Sequence, residues 1–304
     1  MRIQFLHTTN PLASWNRMQF LASIFLLLNF VACRNPKIIE VKLPEHEPLL
    51  IVESYLEPGL PKTVIVQQSS GYFDAPDILI ISDAFVTISD GTRTDTLVYT
   101  PFSVGVFSFG VYTSLDTASI VKPEYGKEFT LRVEAKLRNG ETRIATATTR
   151  LLAPVPVLRT QHIFDGKPEN KAYITGYLKD APGEVNFYRI IFLTPSTSIY
   201  PLPTNQTERD SVIEYTVTDE LFDGQEIPFG SPPFFEPGEE VRIKLINISK
   251  EYYDYLVSLE SAVDGNGSPF IEPFNVRGNV QGVGVRGIFT GLSYQLYRDT
   301  IPIQ

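Results

Sequence analysis

The stretch Phe129-Thr130-Leu131-Arg132-Val133-Glu134-Ala135-Lys136-Leu137 decides the fold class. Its apolar residues occupy every second position, with Thr130, Arg132, Glu134 and Lys136 between them. Successive strand side chains point to opposite faces, so period two means one buried face and one wet face. Asn139-Gly140 follows, and both residue types accept the positive φ of a two-residue hairpin turn. The returning strand is then 142–151. Ala84, Val86 and Ile88 alternate in the same way, and Asp90-Gly91 supplies the next turn.

Further strands are expected at 49–57, 62–69, 84–89, 94–100 and 106–113. Seven short strands in about 100 residues fit an immunoglobulin-like or prealbumin-like sandwich over 48–153. Tyr125, near the start of a late strand, suits either a tyrosine corner or an ordinary strand-edge aromatic. Pro154 and Pro156 mark a linker, and Asp165-Gly166 and Pro168 extend it as a loop that holds His162. A second β-rich domain, 154–304, is expected to carry strands at 172–178, 185–193, 212–219, 240–248, 284–290 and 293–297. Val241, Ile243 and Leu245 alternate with Arg242 and Lys244, and Ile246 breaks that pattern. One helix is expected at 249–263. Ser249 is its N-cap, and Tyr252, Tyr255, Leu256, Leu259 and Val263 form one apolar face for packing on a sheet. The expected fold is therefore mainly β, a sandwich followed by a β-rich domain with one packed helix.

Composition agrees. The 304 residues suit two domains, and 23 Pro, 20 Gly, 20 Phe and 15 Tyr suit many short strands and turns. A net charge of −9 offers no basic face for nucleic acid. The single cysteine excludes an intrachain disulfide and a multi-thiolate zinc site.

That cysteine has another reading. Residues 20–32, FLASIFLLLNFVA, are the one long apolar run, flanked by Arg2 and Arg17 and ending at Cys33. A basic flank followed by a short apolar core reads as a secretory signal, and the run is short for a membrane span of ~20 residues. Phe30-Val31-Ala32-Cys33 resembles a bacterial lipobox, with Phe30 in place of the usual Leu. Residues 1–32 are thus expected to be a lipoprotein signal peptide. Cys33 would be the lipidated first residue of a mature chain of charge −11, since the leader holds two Arg and no acid. Residues 33–47, with Pro36 and Pro44, read as a tether.

Two loops invite a functional reading. The first, 221–238, is rich in Pro and Phe. Its Phe229, Phe234 and Phe235 would either meet a partner protein or apolar ligand, or plug the end of the second domain, the preferred reading. The second, Asp264-Gly265-Asn266-Gly267-Ser268, begins like a calcium loop. It then places Pro269 where Gly is needed and Asn275 where Glu is needed, so no metal is expected.

Several segments together resemble one family: the lipobox, Val52-Glu53-Ser54-Tyr55-Leu56, Asp83-Ala84-Phe85-Val86-Thr87-Ile88-Ser89-Asp90-Gly91 and Asp219-Glu220-Leu221-Phe222-Asp223-Gly224-Gln225. Glu251-Tyr252-Tyr253, Pro269-Phe270-Ile271-Glu272-Pro273 and the glycine-rich run 278–287 complete the set. The resemblance is to the Bacteroidota lipoprotein family catalogued as domain of unknown function 4249, and it covers nearly the whole mature chain. It implies a cell-envelope lipoprotein, often encoded beside a TonB-dependent outer-membrane receptor. Arg286 departs from the apolar residue usual in relatives. The family brings no catalytic residue with it.

The residues themselves show no reaction centre. The mature chain holds only His46 and His162, and no G-x-S-x-G elbow, P-loop or dinucleotide fingerprint is present. The expectation is a non-enzymatic, cofactor-free lipoprotein, anchored through Cys33 in the outer membrane, acting as accessory or ligand-handling partner of a TonB-dependent β-barrel. The alternatives are a surface adhesion or structural protein, and then a carboxylate-based hydrolase, which would need an acidic pair in a shared cleft.

Overall fold

A computed structural model describes residues 46–71, 79–104, 107–114, 119–167, 170–194, 213–265 and 275–303. The strands of the first half are β1 (Leu50–Leu56), β2 (Thr63–Gln68), β3 (Leu79–Ile80), β4 (Phe85–Ser89), β5 (Thr94–Val104), β6 (Phe107–Thr113), β7 (Glu128–Lys136) and β8 (Thr142–Arg150). Then come β9 (Val157–Phe164), β10 (Ala172–Lys179), β11 (Phe187–Leu193), β12 (Ile213–Thr218), β13 (Glu226–Gly230) and β14 (Glu240–Ile248). Helix α1 (Lys250–Gly265), β15 (Val285–Gly291) and β16 (Ser293–Thr300) follow. The protein is mainly β, as its alternating segments require.

The largest sheet runs β15-β1-β2-β6-β5-β4-β7-β8, with β3 added to β2. The β7–β8 hairpin turns at Asn139-Gly140, where Gly140 takes φ +89° and Leu137 N donates to Glu141 O at 2.8 Å. The sheet folds over a core that takes alternate residues from its strands, among them Val52, Val66, Ile88, Phe129, Leu131 and Val133. Its two ends meet. Thr146 of β8 exchanges backbone hydrogen bonds with Gln281 (3.0 and 2.8 Å), and the Asn279 side chain bonds both Thr148 O and the backbone of Phe289. Tyr112 anchors the interior: its hydroxyl accepts from Ala84 N and donates to Ile81 O. Tyr125 is exposed instead.

β15 comes from the far end of the chain and pairs in parallel with β1, Val52 opposite Gly287. It crosses the expected division at 153/154, and residues 46–304 form one compact unit.

The remaining strands make a three-stranded sheet, β13-β10-β9, and a four-stranded sheet, β12-β11-β14-β16. Ile174, Leu178 and Phe229 of the first share a core with Ile190, Phe192, Ile243 and Leu245 of the second. Two strands lie where loops were expected. β9 occupies the linker region and carries His162, which pairs with Asp299 at 2.8 Å. β13 lies inside the Phe-rich loop and contains Pro228, which an edge strand tolerates because the missing N–H faces away from the ladder.

Helix α1 starts as expected, with Ser249 Oγ accepting from Tyr252 N at 3.3 Å. Its apolar face is buried only at first. Tyr252 and Tyr255 are buried and Leu256 is partly so, but Leu259 and Val263 are exposed. The helix lies against β11 and β15 through its first turns only.

Gly287 combines φ +141° with the closest backbone approach in the molecule's described part. A Cβ there would stand 1.8 Å from Val52 O. Gly287→Ala is expected to cost about 3 kcal/mol or more in urea unfolding. Gly59→Ala, with positive φ but open space around the Cβ, should cost only about 1–2 kcal/mol.

Candidate functional site

β14 is buried on both faces, which explains the pattern break at Ile246. Val241, Ile243 and Leu245 face the core shared with β10 and β13. Ile246 and Ile248 face the other way, toward Tyr252, Tyr255 and Ile288. Lys244 shares this second face, and a cavity of about 510 Å³ opens beside it.

One wall comes from the first sheet: Tyr55 of β1, Val111 and Thr113 of β6, and Leu60 and Pro61 between β1 and β2. The other comes from the four-stranded sheet. Its register places Glu214, Ile191 and Lys244 in one cross-strand row, with Arg189 opposite Ile246 in the next. Leu292 and Tyr294, where β15 passes into β16, close the seam. The volume lies in the range of small-molecule pockets, which are mostly apolar with a few convergent polar groups.

Four charged groups reach the cavity. Arg189 is engaged: Nε donates to Glu214 Oε1 at 2.6 Å and Nη1 to the Tyr252 hydroxyl at 2.6 Å. Glu57 accepts a hydrogen bond from the Tyr294 hydroxyl. Lys244 differs. It is 6% exposed, its Nζ lies 4.2 Å from the centre of the Tyr294 ring, and among the described residues it has neither hydrogen-bond nor ion-pair partner. Burial pushes its pKa below that of an ordinary lysine; Glu57 opposes this, and Arg189 and Arg242 add to it.

Behind the cavity, Glu53 of β1 sits among tyrosines. Burial raises its carboxyl above the usual range, against hydrogen bonds from Tyr55 and Tyr255. Burial, reinforced chiefly by the Glu53 charge for Tyr255, carries the Tyr255 hydroxyl up to about 12. The Tyr252 hydroxyl rises to about 12 through burial, with Arg189 opposing. The rings of Tyr55 and Tyr252 meet edge to face at 6.0 Å.

The residues singled out in the sequence lie elsewhere. Phe229 and Phe235 are buried, 6.2 Å from the Phe192 ring, and Phe234 packs edge-on against Phe235. Phe229 lies over Gly176, where a Cβ would strike its ring at 2.3 Å. Their apolar surface is spent inside the second core, so Phe229 and Phe235 offer no free face to a partner. Cys33 and residues 266–274, which include most of the calcium-like loop, lie outside the described residues. Arg286 points to solvent. His46 bonds Ser69 and stands apart from His162 in the chain's hydrogen bonding.

A second group of acids belongs to loops. Asp180, Asp219 and Asp223 bring carboxylate oxygens within 4.8 Å of one another, a hard-oxygen set of the kind that suits calcium or magnesium. Those oxygens take chain donors: Asp180 accepts from the Tyr188 hydroxyl and Gly224 N, Asp219 from Asn186, and Asp223 from Gly183 N. The run 219–225 thus organises its own turn.

Among the described residues, fold and cavity define a β-protein with three buried clusters and a ligand-sized space between its sheet systems. A family model described as domain of unknown function (DUF4249) matches residues 37–298, and the chain belongs to that family. No curated protein matches it significantly.

Two tests follow. Phe229→Ala should destabilise by about 3–5 kcal/mol in denaturant unfolding, the cost of emptying a core site; an unchanged midpoint would place the ring outside the core. Glu53→Gln keeps an acceptor for the tyrosines and removes the buried charge. Because the folded pKa of Glu53 is raised, its ionised form costs stability above that pKa, and the cost vanishes as pH falls below the unfolded value near 4.5. The variant should therefore unfold at higher urea than the parent at pH 7 and lose that advantage near pH 4.

Proposed function

We propose that this protein is a cell-envelope lipoprotein of the Bacteroidota, anchored in the outer membrane through Cys33. It handles a small ligand at the inter-sheet cavity as accessory to a TonB-dependent receptor. The cavity carries the ligand-handling part: a largely apolar space with a few polar groups, lined from two sheet systems, suits binding. The leader and lipobox support the anchor. The mature charge of −11 favours attachment by lipid over electrostatic adhesion to an anionic surface. The receptor partnership rests on family resemblance.

Within the cavity, the acidic pair Glu57 and Glu214 is committed to Tyr294 and Arg189. Carboxylates so held serve as wall, which favours binding over hydrolysis.

The test is purification from native membranes in mild detergent. A β-barrel receptor should accompany the wild-type protein, and Cys33→Ala should shift the protein out of the membrane fraction and lose that partner. Repeated recovery of the wild-type protein alone would count against the partnership. Membrane retention of Cys33→Ala would count against the lipid anchor.

A further inference from the structure

Among the described residues, Lys244 is the one charged group lining the cavity with no hydrogen-bond or ion-pair partner. Arg189 is held by Glu214 and Tyr252, and the Glu57 carboxylate is held by Tyr294. Lys244 lines the space with its ammonium over the Tyr294 ring, and no described residue bonds or pairs with it. The Lys244 side chain is buried while its ammonium opens onto the cavity, and a ring face satisfies only part of its need for a partner. The same residue sits in a row with apolar Ile191 and beside Ile246, opposite Val111 and Leu60 of the facing wall.

We propose that the natural occupant is an amphipathic monocarboxylate. Its hydrocarbon lies between the sheets, against Leu60, Val111, Ile191 and Ile246, and its carboxylate meets Lys244 Nζ. The proposal deepens the ligand-handling reading and rests on it. One unpaired cation matches one negative charge. A polyanion would also face Glu57 and Glu214 in the same space, and a neutral or cationic amphiphile would leave Lys244 without a counter-ion. Lys presents a compact charge on a flexible stem, which suits a single carboxylate better than the forked recognition that Arg provides. Burial lowers the pKa of Lys244, and an incoming carboxylate would act against that shift.

The experiment uses the full chain in lipid nanodiscs, with radiolabelled decanoate as probe and protein-free nanodiscs as the partition control. Decanoate should bind saturably and be displaced only weakly by decanol or decyltrimethylammonium. Lys244→Met, which keeps an apolar stem of similar length, should weaken decanoate by about tenfold or more and leave decanol unchanged. Ile191→Trp, which fills the cavity, should remove both. Equal competition by decanol and decanoate, or full affinity in Lys244→Met, overturns the carboxylate assignment and leaves ligand handling standing. Absence of saturable binding by any of the three amphiphiles overturns both. If Lys244→Met does not fold, the contrast between decanoate and decanol on the wild-type chain decides.

Discussion

The parallel pairing of β15 with β1 holds this structure together. Parallel strands need a long crossover, and here residues 57–284, about three quarters of the chain, lie between the two partners. The cost in chain entropy of closing that loop is recovered by seven ladder positions, by the Asn279 clip and by the burial of Val285 and Phe289 in the first core. One residue then separates β15 from β16. Leu292 donates to Leu56 O at 2.8 Å, and at Ser293 the chain has already entered the four-stranded sheet. A connection that short fixes one sheet system against the other. At Gly278, Gly282 and Gly287 another backbone approaches too closely for a side chain.

Inside the first sheet a buried ion pair has a related role. Lys62 Nζ lies 2.7 Å from Asp95 Oδ2, and both side chains are almost fully enclosed. Lys62 also donates to Ser119 Oγ and Val121 O, and Asp95 accepts from Ser119 Oγ and from the amides of Ile120 and Val121. Burial pushes the Asp95 carboxyl up, but Lys62 and the two amides outweigh it, and the net direction is down. Such pairs add little over an apolar pair of equal volume, and breaking one is expensive. The pair ties β2, β5 and the segment before β7 to a single arrangement.

How much of this was legible depended on how many cores a strand faces. Period-two segments with one wet face, such as 129–137, could be read directly, as could the Asn139-Gly140 turn and the Ser249 cap. Alternation presumes one core, however. In β14 it made Lys244 look like a solvent-facing residue, although that face is the second buried one; Ile246 was the sign, since an apolar residue on a wet face is out of place. Likewise β9 hid behind prolines and polar residues, and β13 behind Pro228, because edge strands of a small sheet need little hydrophobic pattern. The return of β15 to β1 rests on contacts more than 200 residues apart in sequence, which no local pattern carries. Leu259 and Val263 kept helical spacing with the rest of their face, yet the helix has left the sheet by the time it reaches them.

The cavity follows from the same geometry. Two sheet systems with their own cores are joined by a connection one residue long, and their facing surfaces need not be complementary throughout. A gap forfeits dispersion contacts along its walls and would ordinarily be closed by side-chain rearrangement. Here the walls are braced by polar links at their margins: Tyr294 to Glu57 across the seam, Arg189 to Tyr252, and Asn247 Nδ2 to Ala153 O at 3.0 Å. The first would be lost or distorted if the sheets closed together. The residues that look misplaced by core-packing rules are therefore of two kinds. Arg189, Glu57 and Glu214 are committed to polar partners in the chain. Lys244 touches the Tyr294 ring but bonds to no described residue, and its charge is presented to whatever enters.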